Sequence, residues 1–124
     1  MRTENVTYFS EEEEAFANLL IAIGTRKSVA KVLVFMAGTP EATSRDIEHG
    51  TDLRQPDVSL AMNYLTARGW IATREQKTES KGRPIKIYTL AQPVEVIMDS
   101  IETEKKKEAT HQLAMIQKLR DFVL

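Results

Sequence analysis

The side chains with the most chemistry to offer lie in one stretch, Leu53-Arg54-Gln55-Pro56-Asp57-Val58-Ser59-Leu60-Ala61-Met62-Asn63-Tyr64-Leu65-Thr66-Ala67-Arg68-Gly69-Trp70. Val58, Ala61, Met62 and Leu65 recur at helical spacing and make one apolar stripe, which leaves Gln55, Ser59, Asn63 and Tyr64 off it. Their chemistry is hydrogen bonding to a partner. A second group, Lys81-Gly82-Arg83-Pro84, sets positive charge among turn formers, and Lys86 follows closely. Bond-making chemistry lacks its reagents. The chain has no cysteine, and its two histidines, His49 and His111, are far apart and have no partner at metal-ligand spacing. No nucleophile–base pair, metal centre or cofactor site can be assembled from such a set, so the chain reads as a non-enzyme.

The main stretch is bounded as a helix over about 55–68. Pro56 suits the first helical position, where its missing N–H would be unpaired in any case, and Gly69 supplies a left-handed residue that stops the helix. Upstream, Ser10 with Glu13 three positions on makes a capping box. The acidic run there sits where the helix dipole favours negative charge, as a helix-start device rather than a binding surface. This first helix carries Phe16, Leu19, Leu20 and Ile23 on an apolar face and stops near Gly24. A second helix, over about Lys27–Ala37, turns Val29, Val32, Leu33 and Met36 to one side, and Gly38-Thr39-Pro40 ends it. Thr43 can cap a short third helix through His49, with Ile47 as core anchor and Gly50 in the terminating position. The link from Thr51 to Arg54 is short, so the third and fourth helices turn sharply against each other.

After Gly69 the period changes. Residues 70–77 and 85–90 mix β-formers with alternating polar residues around a charged, turn-like 78–84, which is the pattern of a β-hairpin. A two-stranded hairpin is marginal alone and must pack on the helices, through Trp70 and some of Ile85, Ile87, Tyr88 and Leu90. Pro93 suits the start of a final helix that can run to Leu124. Val94, Ile97, Met98 and Ile101 give it an apolar start, and Leu113, Met115, Ile116, Leu119, Phe122 and Val123 an apolar end. The polar middle includes Lys105-Lys106-Lys107, which reads as intrahelical pairing with Glu102, Glu104 and Glu108.

At 124 residues and 42% hydrophobic composition, the chain holds one globular domain, 1–92, and an appendage, 93–124. The polar opening, Met1-Arg2-Thr3-Glu4, and the lack of any apolar run near the ~20 residues that span a bilayer imply a soluble, unexported protein with no membrane partner. Absence of cysteine suits a reducing cytoplasm. The net charge of −1 is unevenly spread: one base and five acids in 1–24, eleven bases and seven acids in 25–90, five bases and six acids in 91–124, or −4, +4 and −1. The middle is the basic part, and it coincides with the polar helix and the hairpin.

Three helices, a sharp turn, a polar-faced helix and a basic-tipped hairpin, in that order, make a winged helix-turn-helix. The expected fold is thus mainly α with a small β-hairpin, an N-terminal helix and a long C-terminal dimerisation helix. On duplex DNA, the helix of about 55–68 would enter the major groove, and the wing of about 78–86 would reach the backbone or adjacent minor groove. The residues from Leu53 to Ser59, Gly69-Trp70, Lys81-Gly82-Arg83-Pro84 and Ile87-Tyr88 resemble archaeal winged helix-turn-helix transcriptional regulators related to the ArsR, MarR and TrmB groups. The resemblance covers roughly Ser28 to Leu90.

It implies that the start of the recognition helix faces bases and that the wing arginine touches the backbone or minor groove. Carried onto this chain, the DNA-binding residues are Arg54, Gln55, Asp57, Ser59 and Asn63 on the helix, with Lys81, Arg83 and Lys86 on the wing. Gln and Asn can pair bidentately with adenine, Arg with guanine or a phosphate, and Ser is more often a phosphate contact. Leu60 departs from the polar or basic residue expected on this face: it either meets a thymine methyl or is partly buried. The lack of cysteine rules out the thiolate metal sensing of some ArsR-like regulators.

The expected function is sequence-specific regulation of transcription on double-stranded DNA. The competing class is a winged-helix protein–protein interaction adaptor in a transcription-related assembly, which would expose an apolar patch on helix or wing. A winged helix has no internal use for so long a final helix. A homodimer through the C-terminal and N-terminal helices is therefore expected, presenting two recognition helices to half-sites ~34 Å apart.

Overall fold

A computed structural model of the chain describes residues 9–77 and 82–124. It has two compact units, Met1–Gln92 and Pro93–Leu124. The first contains α1 (Glu11–Ala22), α2 (Lys27–Ala37), α3 (Ser44–Thr51), α4 (Gln55–Ala67), β1 (Ile71–Gln76) and β2 (Ile85–Leu90); the second is α5 (Val94–Val123). This is the winged helix-turn-helix order, and α3 and α4 are separated by only Asp52, Leu53 and Arg54.

Local sequence sets several helix ends. The Ser10 hydroxyl accepts from the Glu13 N–H at 3.1 Å while the Glu13 carboxylate accepts from the Ser10 N–H at 2.9 Å. Thr43 and Asp46 repeat the device for α3 at 3.1 and 3.0 Å. Each box satisfies donors that a helix start leaves unpaired. At the other end of α4, Gly69 takes φ +78°, so that its N–H reaches the Thr66 carbonyl (2.9 Å) and the Trp70 N–H reaches Leu65 (3.0 Å). This double closure ends the helix and turns the chain directly into β1.

Three boundaries differ from the sequence expectation. Gly50 does not stop α3; the helix runs through it to Thr51, and Asp52 takes the left-handed conformation at φ +57° instead. Gly50 is needed for packing, because a Cβ there would lie 2.1–2.9 Å from three atoms of the Phe35 ring. Pro56 occupies the second helical position after Gln55, where the N–H also has no partner within the helix. Pro93 stands at the N-cap of α5, not inside it, and its carbonyl accepts from Val96 and Ile97.

The core of the first unit is built around α2, which packs against α1, α3 and α4 and buries Val29, Ala30, Val32, Leu33, Val34 and Met36. Ile47 of α3 and Val58, Ala61, Met62 and Leu65 of α4 are buried as well. Each large side chain among these contributes roughly 1.5–3 kcal/mol by leaving water. On α1, Ala17 and Leu20 are buried and Phe16 is half-buried, whereas Leu19 and Ile23 are exposed; the four-residue apolar face expected there is split. β1 and β2 are antiparallel, with Ile71 opposite Leu90 and Gln76 opposite Ile85. Trp70 and Ile71 anchor the hairpin in the core, Ile87, Tyr88 and Leu90 are half-buried, and Ile85 is exposed. Ala42, ahead of α3, exchanges two backbone bonds with Tyr88 (3.0 and 2.8 Å), a third strand stub that extends the sheet by one pair.

In the second unit, α5 is one uninterrupted helix of 30 residues, about 45 Å at ~1.5 Å per residue. At ~100° per residue, Val94, Ile97, Met98 and Ile101 share a face with Met115, Ile116, Leu119, Phe122 and Val123, while Leu113 falls off it. Lys105, Glu108 and Gln112 interrupt that face, and Lys105 and Glu108 pair at 3.3 Å within the gap. Ile97 and Ile101 are buried; the apolar residues from 115 onward are exposed. Among the described residues, no helix is long and apolar enough to cross a membrane.

Candidate nucleic-acid interface

The buried stripe of α4 fixes which side chains face outward. Gln55, Ser59 and Asn63 follow one another at four-residue intervals and form a polar row; Pro56, Leu60 and Tyr64 form a second row beside it. All six are exposed. Asp57 is exposed too but lies on the flank beyond the apolar row, in the first turn, where its charge complements the helix dipole. Arg54 occupies the N-cap with extended backbone, and its side chain is exposed and makes no capping bond. Leu60 is 55% exposed: part of its side chain is covered and the larger part stands on the outer face.

Two features near α4 escaped the sequence reading. Arg68 lays its guanidinium over the rings of Tyr64 and Trp70, at 5.4 and 4.4 Å from their centroids. Its charge is thereby committed to fastening the end of α4 to the start of the hairpin. The spacing Tyr64, Arg68, Trp70 carries that signal, since i and i+4 side chains meet on a helix. Leu60 and Tyr64 also wall a cleft of about 410 Å³ with Gly24, Thr25, Arg26 and Val29. Nothing local brings the α1–α2 turn to α4, so no spacing could have announced it.

On the hairpin, residues paired across the strands share a face. Lys86 stands opposite Glu75, and Arg74 bonds Glu41 at 2.8 Å. Arg83 is exposed and makes no ion pair among the described residues. Lys81 lies outside the described residues. The first unit thus brings Arg54, Gln55, Ser59 and Asn63 together on one helix and sets Arg83 and Lys86 on the hairpin. Among the described residues, no group of three His, Cys, Asp or Glu could hold a metal ion.

No protein-family model matches the chain, and no curated protein matches its sequence. Solved structures do. A possible transcriptional regulator from Methanosarcina mazei Go1 superposes with a TM-score of 0.61 at 14% identity, covering 81% of this chain and 82% of that one. A MarR family transcriptional regulator from Silicibacter pomeroyi DSS-3 superposes with a TM-score of 0.50 at 17% identity, covering 84% and 72%. At these identities the likeness is one of fold.

Proposed function

We infer that the chain is a sequence-specific double-stranded DNA-binding transcriptional regulator, with α4 in the major groove and the wing on the backbone or minor groove. The observation that carries this reading is the row Gln55, Ser59, Asn63, all exposed, on the helix that a three-residue turn joins to α3. Two amides on one ridge match the donor–acceptor edge of adenine, which only the major groove presents in full. Arg54 at the head of α4, with Arg83 and Lys86 on the hairpin, supplies cations for phosphates. Lys81 belongs to the same proposal. Such a regulator acts in the cytoplasm, as a two-fold dimer through α5 with Leu19 and Ile23 of α1. Support for the dimer comes from the exposure of Met115, Ile116, Leu119, Phe122 and Val123 on one side of α5. Leu20, buried within the chain, is not available to it.

The adaptor reading has an observation of its own, the exposure of Leu60 and Tyr64 on α4 and of Ile85 on β2. A salt-titrated binding assay on mixed-sequence duplex DNA separates the two. The regulator should bind with an affinity that falls linearly on logarithmic axes, by about 0.9 in slope for each phosphate neutralised. An adaptor should show no such binding.

A further inference from the structure

We propose that Leu60 reads the C5 methyl of a thymine, so that the half-site facing α4 is built on A·T pairs. This rests on the DNA-binding reading and names the chemistry of the sequence recognised. Leu60 lies in the middle of the apolar row Pro56, Leu60, Tyr64, alongside Gln55, Ser59 and Asn63. Beyond Arg54 at its head, α4 carries no lysine or arginine from Gln55 to Ala67, and Arg68 at its end is committed to two aromatic rings. Guanine is read most often by Arg or Lys donating to its O6 and N7, and beyond Arg54, placed above on a phosphate, this face has neither. It has amides, which suit the adenine N6 and N7, and a branched apolar group. In the major groove the thymine methyl is the one apolar feature that a leucine can cover. Opposite a G·C pair, the same leucine would leave the cytosine amino group or the guanine acceptors without water or a partner, which costs free energy. Asn63, three residues on, has its Cβ roughly 5–6 Å from that of Leu60, one to two base steps at about 3.4 Å each. Amide and methyl contacts therefore fall on A·T pairs one or two steps apart.

The test uses the full chain and the duplex that it selects from a random pool, with each thymine replaced in turn by deoxyuridine. That replacement removes one methyl group and leaves every hydrogen-bonding group of the pair in place. We expect one position in each half-site at which the loss weakens binding about fourfold, the worth of one buried methyl. At that position Leu60→Ala should bind the thymine and uracil duplexes equally. The first comparison is made with the native chain, so it does not depend on how any variant folds. Selective binding that is indifferent to every uracil, or a uracil effect undiminished in Leu60→Ala, would overturn the role of Leu60 and leave the DNA-binding reading standing. A selection that yields no preferred sequence overturns both.

Discussion

Arg83 and Lys86 share a hairpin but not an electrostatic setting. Lys86 stands opposite Glu75 across the strands, whereas Arg83 has no acid paired with it among the described residues; in the proposed DNA-binding mode Glu75 would offset part of the attraction of Lys86 for a phosphate. Arg83→Ala should therefore weaken binding to most sequences and lower the magnitude of the logarithmic salt slope by about one unit, with Lys86→Ala doing less. Unchanged affinity and slope in both variants would remove the hairpin from the interface. Gln55 has a different task, at the head of the polar row on α4. Gln55→Ala should cost ~1–3 kcal/mol on the preferred duplex and much less on random DNA, as read from parallel binding isotherms. Equal losses on the two duplexes would make Gln55 a positioning residue instead.

The helices hold these side chains out by packing that can be probed away from the outer face of α4. Gly50 sits inside α3 against the ring of Phe35 from α2, and an added methyl group would push that ring aside. Gly50→Ala should destabilise the fold by about 1–3 kcal/mol in chemical denaturation, despite alanine's better helix propensity. A stabilised variant would show that the ring moves freely. Gly50 also marks where the sequence stops being legible. The stripe Val58, Ala61, Met62, Leu65 and the two capping boxes depend on residues three and four apart, so period and residue type disclosed them. The role of Gly50 depends on Phe35, the Ala42–Tyr88 pairing on strands far apart in sequence, and the cleft beside Leu60 on how α1, α2 and α4 meet. Such contacts leave no local spacing to read. For the candidate site, the polar row was visible as the complement of the stripe, while the outward stance of Leu60 and the stacking of Arg68 needed coordinates.

For the molecule as a whole, the proposal is a dimer that reads two half-sites with combined affinity. The apolar face of α5 from Met115 to Val123 is exposed in the single chain, a patch that a soluble monomer rarely leaves open. Replacing Ile116 and Leu119 together by glutamate should convert the dimer into a monomer in sedimentation equilibrium and weaken binding to a palindrome far more than to a single half-site. A double variant that still sediments as a dimer would move the interface elsewhere. Sequence-selective recognition of duplex DNA can be measured by equilibrium binding of the full chain to its selected palindromic duplex and to a scrambled duplex of equal composition, over a range of salt. A preference of about a thousandfold or more for the palindrome is expected near physiological salt, with both affinities falling as salt rises. Equal affinity for the two duplexes, or no salt-dependent binding to either, would contradict it.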